Sequence, residues 1–230
     1  MIELRSTTMI RGLASTTALF CLLGLGAELL KYLGGQDHAV LRLLSLSYEG
    51  NLPSWYASAL PLLCAALLAV IAAGAPTDRG HWRMLALGFV YISIDEAVGL
   101  HELLGELFDT TGLLHFGWVM PAAAIVLTVG LAFFGFLRRL DRPTARRFVL
   151  AGALYVTGAV LFELPLGWWT EQHGADNLGY ALIDWCEETL EFGGLTLFAA
   201  TLQGRLQGRT LRVTAAGDAG VFAPGRGPEK

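Results

Sequence analysis

Charge is scarce in this sequence, and cysteine is scarcer. Only 16% of the 230 residues are Asp, Glu, Lys or Arg, whereas 54% are hydrophobic. That is too little charge to cover an ordinary soluble surface, and it points to a polytopic membrane protein. The three cysteines, Cys21, Cys64 and Cys186, sit in apolar runs without a CxxC pattern, which argues against a thiolate metal centre or a disulfide framework and leaves them as small packing residues. A nucleophile elbow, a P-loop and a dinucleotide-binding glycine fingerprint are also missing.

What is present is a series of apolar windows of about 20 residues, the length that crosses a hydrocarbon core about 30 Å thick. They lie near residues 12–33, 54–75, 84–107, 115–137, 148–170 and 180–203 and predict an all-α polytopic membrane protein, a bundle of six transmembrane helices. Residues 1–203 would form the membrane domain. Residues 204–230, rich in Gly and Pro, would form a disordered cytoplasmic tail. The first apolar run is longer than a signal-peptide core and ends at Glu28 and Lys31 without a small-x-small cleavage pattern, so it reads as a span.

The basic residues set the expected orientation. With the N-terminus cytoplasmic, 14 of the 16 Lys and Arg residues fall on the cytoplasmic side and only Lys31 and Arg42 lie outside. Both termini are therefore expected in the cytoplasm. The cluster from Arg138 to Arg147 reads as a topology signal and a contact for anionic lipid, not for nucleic acid. On the outer side, Val40–Leu46 suggests a short segment lying on the bilayer surface, and Glu28 reads as a carboxylate snorkelling from a span end.

Acidic residues interrupt the apolar pattern in three places: Asp95, Glu96, His101 and Glu102 in the third run, Glu163 in the fifth, and Asp184, Glu187, Glu188 and Glu191 in the sixth. A carboxylate at membrane depth is costly unless it is protonated, paired or bound to a cation. At about 100° per residue, Asp95, Gly99, Glu102 and Glu106 share one helical face with Glu96 and His101 beside it, while Asp184, Glu188 and Glu191 make a second stripe flanked by Glu187. Antiparallel packing of the third and sixth spans would bring the stripes together in the outer half of the bilayer, with Glu163 at a similar depth. The spans carry no Lys or Arg at that level, so a cation is missing.

Oxygen-rich ligation with one imidazole suits a divalent ion, iron or manganese ahead of zinc. Asp95, His101, Glu102, Asp184, Glu188 and Glu191 are the expected ligands, and Glu96, Glu163 and Glu187 the candidate general bases. His38, His115 and His173 also fall on the outer side, where any could join the site, but each reads first as a solvated loop residue. The pairs Asp95/Glu102 and Asp184/Glu191 are each seven apart and each followed by glycine, an echo that suggests a 3+3 inverted repeat.

Three motifs occur together: Glu49-Gly50-Asn51-Leu52-Pro53-Ser54-Trp55 before a span, Ile94-Asp95-Glu96 with His101-Glu102, and Glu187-Glu188-Thr189-Leu190-Glu191. In this combination the chain resembles a group of uncharacterised bacterial multi-span membrane proteins. The resemblance implies residence in the bacterial inner membrane and draws Glu49 to the outer mouth of the site, but it implies no particular activity. The residues themselves lead to the expectation of a metal-dependent oxidoreductase or hydrolase acting on a lipid or other lipophilic substrate. A proton- or cation-coupled transporter taking a small cationic substrate is the alternative, and a non-catalytic scaffold with protonated acids the third reading.

Overall fold

The computed structural model describes residues 6–207 and a pair of two-residue antiparallel strands, Arg209–Thr210 and Ala223–Pro224. The rest of the expected disordered tail lies outside the described residues. From 6 to 207 the chain is helical, with α1 (Ser6–Tyr32), α2 (Ala39–Leu44), α3 (Leu52–Gly74), α4 (Arg79–Val98), α5 (Leu100–Gly105), α6 (Val119–Arg139), α7 (Arg142–Val156), α8 (Glu163–His173) and α9 (Leu178–Leu206). A π-helical segment, Thr157–Phe162, joins α7 to α8.

The helix starts follow from local chemistry. Asn51 caps α3 by accepting from the Ser54 N–H at 3.0 Å, while the Ser54 hydroxyl accepts from the Asn51 N–H at 2.9 Å and Pro53 occupies the first turn. Asn51 also donates to the carbonyls of Arg42 and Ser45, which ties α2 to this cap. Asp141 caps α7 and Asn177 caps α9 in the same way.

Four helical stretches are long and apolar enough to cross a membrane: Thr8–Tyr32, Leu52–Gly74, Val119–Arg139 and Arg142–His173. The apolar windows predict six. The remaining two are α4 and α9, of 20 and 29 residues, or about 30 and 43 Å long at 1.5 Å per residue. Their length suffices, but each interrupts its apolar run with clustered acids.

Helix α9 forms the axis, packed by α1, α3, α7, α8 and the π segment, while α3 pairs closely with α4. One apolar cluster, including Leu68, Ile71, Trp82, Phe136, Phe148, Phe198 and Leu202, fills the end of the bundle that carries the arginine-rich loops. A second, of Cys21, Leu46, Tyr56, Ala57, Leu60, Phe192 and Leu195, fills the middle. Two sets of polar groups between helices satisfy one another, which offsets the cost of burial in apolar surroundings. Thr17 Oγ1 lies 2.7 Å from both the Tyr56 hydroxyl and Thr196 Oγ1, and Ser93 donates to the Ser58 carbonyl while Ser58 donates to that of Ser93.

The fold departs from expectation at three points, all towards the acidic end of the bundle. The third apolar run is not one helix, because Gly99 adopts φ +63° and separates α4 from α5. Asp95 and Glu102 therefore do not share a face of one continuous helix, and the seven-residue echo with Asp184 and Glu191, which lie on the single helix α9, does not extend to the backbone. The fifth run is helical throughout but widens into the π segment. Pro165 has no N–H for the carbonyl of Leu161, one turn back, and Gly158 brings the widened turn against α9, where a β-carbon would stand 2.6 Å from the Glu187 carbonyl oxygen. Finally, Glu28 does not snorkel: it is 1% exposed and accepts a hydrogen bond from the Ser45 hydroxyl.

Candidate functional site

At the end of the bundle opposite the arginine-rich loops, a cavity of about 520 Å³ opens among the start of α3, the end of α4, α5, the 115–118 loop, α8 and the start of α9. The size suits a small ligand. Its walls carry Glu49, Asp95, Glu96, His101, Glu102, Glu163, Asp184, Glu187 and Glu188, and none of its lining residues is Lys or Arg.

His101 owes its position to the break at Gly99. The left-handed glycine turns the chain so that the Asp95 carboxylate meets the start of α5, accepting the backbone N–H of His101 at 2.8 Å on Oδ1 and facing His101 Nδ1 at 2.9 Å with Oδ2. A carboxylate at Nδ1 makes that nitrogen the donor and leaves Nε2 as the acceptor or ligand. The imidazole lies 4.7 Å from the Trp118 ring, which limits its rotation. Both Asp95 oxygens are engaged with His101, so Asp95 orients the imidazole rather than standing free among the other acids.

The remaining acids divide by depth. Glu49 and Glu102 are exposed and adjacent at the mouth. Partial desolvation at the mouth, followed by the neighbouring Glu102 carboxylate, raises the Glu49 carboxyl above the ordinary glutamate range. Glu163 and Glu187 are buried, at 8% and 9% exposure, and Oε2 of Glu187 has no hydrogen-bond partner. Asp184 accepts from the Ser47 hydroxyl. Glu191 lies just below the cavity lining, against Gly158, and the carboxylate it meets from α4 is that of Glu96. Among the described residues, no three His, Cys, Asp or Glu side chains are already arranged to hold a metal ion.

Other residues also line the cavity. His115, expected as a loop histidine, forms part of the wall with Glu106, Ser47, Tyr48, Trp118 and Tyr180. His173 instead stacks on Trp169 at 4.3 Å. The hydroxyl of Tyr48 accepts from Lys31 Nζ at 2.9 Å, but that ammonium is also paired with Asp176 at 2.8 Å and is not a wall residue. Leu46, Ala57 and Leu166 give the cavity an apolar wall, and Leu46 and Ala57 also belong to the middle apolar cluster.

No curated protein and no solved structure matches the chain. A family model does match it, over residues 9–204, and the chain belongs to that family, described as a domain of unknown function (DUF8692).

Proposed function

We propose that this chain is an integral membrane enzyme with six spans and cytoplasmic termini in the bacterial inner membrane, whose outer cavity binds a divalent metal ion and acts on a lipid or other lipophilic substrate. One observation carries the reading: acids from several separate elements converge on one cavity with an oriented imidazole and no wall cation. In water each carboxylate would be solvated. Here Glu187 is nine-tenths buried with an unpartnered oxygen, and a cation offsets that cost. His101 Nε2, with Glu102, Glu188 and Asp184, supplies the nitrogen and oxygen donors that iron or manganese accepts. Bound there, such an ion supplies Lewis-acid or redox chemistry. Asp95 holds the imidazole, and Glu163 or Glu187 serves as the general base.

An apolar rim supports a lipophilic substrate: Leu103, Leu104 and Leu107 on and after α5, and Leu52 and Trp55 at the start of α3, are all exposed. Leu46 and Ala57 both line the cavity and belong to the apolar cluster of Tyr56, Leu60, Phe192 and Leu195, which packs beneath it. Transport is the second reading, favoured by the broken backbone at Gly99 and the π segment beside the acids. A packed floor argues against a through-path, so transport stands behind the enzyme reading.

Elemental analysis of the detergent-purified protein tests the proposal. The expected result is about one or two equivalents of a transition metal, lost in a folded Glu102→Gln/Glu188→Gln variant. Absence of metal after reconstitution with iron, manganese or zinc overturns it and leaves the acids as proton carriers.

A further inference from the structure

A second cavity, of about 200 Å³, lies at the arginine-rich end between α4, α6 and the end of α9. Its floor is apolar, with Ile71 and Trp82 each 2% exposed. Its polar wall includes Asp78, Arg139 and Arg205.

The two arginines differ in what they lack. Arg139 is satisfied by Asp78, to which it donates from Nε at 3.1 Å and from Nη2 at 2.6 Å. Arg205 is not. Its guanidinium lies 5.1 Å from the Trp82 ring and reaches the exposed Asp141 only at 3.4 Å through Nη1, while Nε is buried without a hydrogen-bond partner. The Nε N–H is shielded from solvent, so a ligand in the cavity meets the Nη groups, one of which holds Asp141 only at the limit of hydrogen-bond distance. The surrounding charge selects the sign of the acceptor. Arg138 lies in the last turn of α6 and Arg142, Arg146 and Arg147 in the first turns of α7, against Asp78 and Asp141.

We infer that this pocket is a phosphate-binding site, with Arg205 donating to the phosphate over the face of Trp82, and that it holds the headgroup of an anionic phospholipid or free inorganic phosphate. The planar guanidinium fork matches phosphate oxygens, and stacking on an aromatic ring leaves its edge free to donate. This site is separate from the acidic cavity, so its success or failure says nothing about metal binding there.

The test is site-resolved labelling of arginines by phenylglyoxal, read by mass spectrometry on the full chain in nanodiscs. With phosphatidylglycerol in place of phosphatidylcholine, labelling of Arg205 is expected to fall about fivefold more than that of Arg83, which lies at the same end outside the pocket. Adding inorganic phosphate to the phosphatidylcholine sample separates the sources: equal protection there identifies free phosphate as the ligand. Retention of phosphatidylglycerol in native mass spectrometry should fall similarly in Arg205→Gln. Equal labelling of Arg205 under all three conditions overturns the inference, and this measurement on the wild-type chain holds even if the variant does not fold.

Discussion

Asp95 and His101 form the most constrained pair in the acidic cavity. Because Asp95 meets both the backbone N–H and Nδ1 of His101, it fixes where the ring sits and which nitrogen it offers. An amide at this position keeps the size but can present its NH₂ to Nδ1, which removes the tautomeric preference. Asp95→Asn is therefore expected to weaken Mn²⁺ binding about 10- to 100-fold, the usual loss on removing a group that orients a histidine ligand, with the helical circular dichroism unchanged. Titration calorimetry of the chelator-stripped protein reads this. Glu49 gives the pH prediction. Its carboxyl is raised in the folded protein by partial desolvation and by Glu102, so the folded state holds that proton more tightly than the unfolded state. The resulting stability is full below the ordinary glutamate range and is lost as pH rises through it towards the Glu49 value. Glu49→Gln has no such titration. Metal-free wild type should therefore lose melting temperature relative to the variant across that window, and parallel melting curves would contradict the assignment.

The helices explain how acids so far apart in sequence meet. Two backbone irregularities do the positioning: the left-handed Gly99, which starts α5 over Asp95, and the π segment, which lets Gly158 approach α9 beneath Glu187. Gly158→Ala would place a β-carbon 2.6 Å from the Glu187 carbonyl oxygen and 2.7 Å from Glu191 Cγ. Neither the α9 backbone nor a buried glutamate can retreat easily, so the substitution is expected to cost about 1–3 kcal/mol, the range for overpacking a filled interior, read as a lower melting temperature in detergent. Gly152→Ala, on the same run, meets nothing within 4 Å and serves as the neutral control.

These irregularities are also where the sequence is least legible. The clustered acids are conspicuous because a carboxylate in an apolar run is costly in any fold, and the cap at Asn51 follows from its own neighbours. Gly99 gives no sign, since a glycine within an apolar run can continue a helix or break it, and only the arrival of Asp95 at the His101 N–H decides. Pro165 marks the fifth run as irregular, but the wide turn also depends on Gly158 meeting a helix some thirty residues further on. Glu28 is legible in its place near a span end but not in its role, because its partner Ser45 comes from a segment that folds back through the Asn51 cap. The apolar windows predict six spans, but only four helices are long and apolar enough to cross a membrane, because the acids lower the apolarity of α4 and α9.

At the scale of the whole molecule, opposite charges collect at opposite ends. Acids gather around the 520 Å³ cavity at one end, and arginines surround the 200 Å³ cavity at the other. The packed apolar clusters between them keep the two apart. In the proposed orientation the arginines hold the cytoplasmic face, and the acidic cavity looks outward with exposed leucines at its rim. Metal in that cavity, bound by His101, is the central claim, and one measurement addresses it directly. Electron spin echo envelope modulation of Mn²⁺ added to the metal-free protein in nanodiscs reports nitrogen in the coordination sphere. The account predicts bound Mn²⁺ with ¹⁴N modulation that disappears in His101→Ala; Mn²⁺ that fails to bind, or binds with the same echo in both proteins, would contradict it.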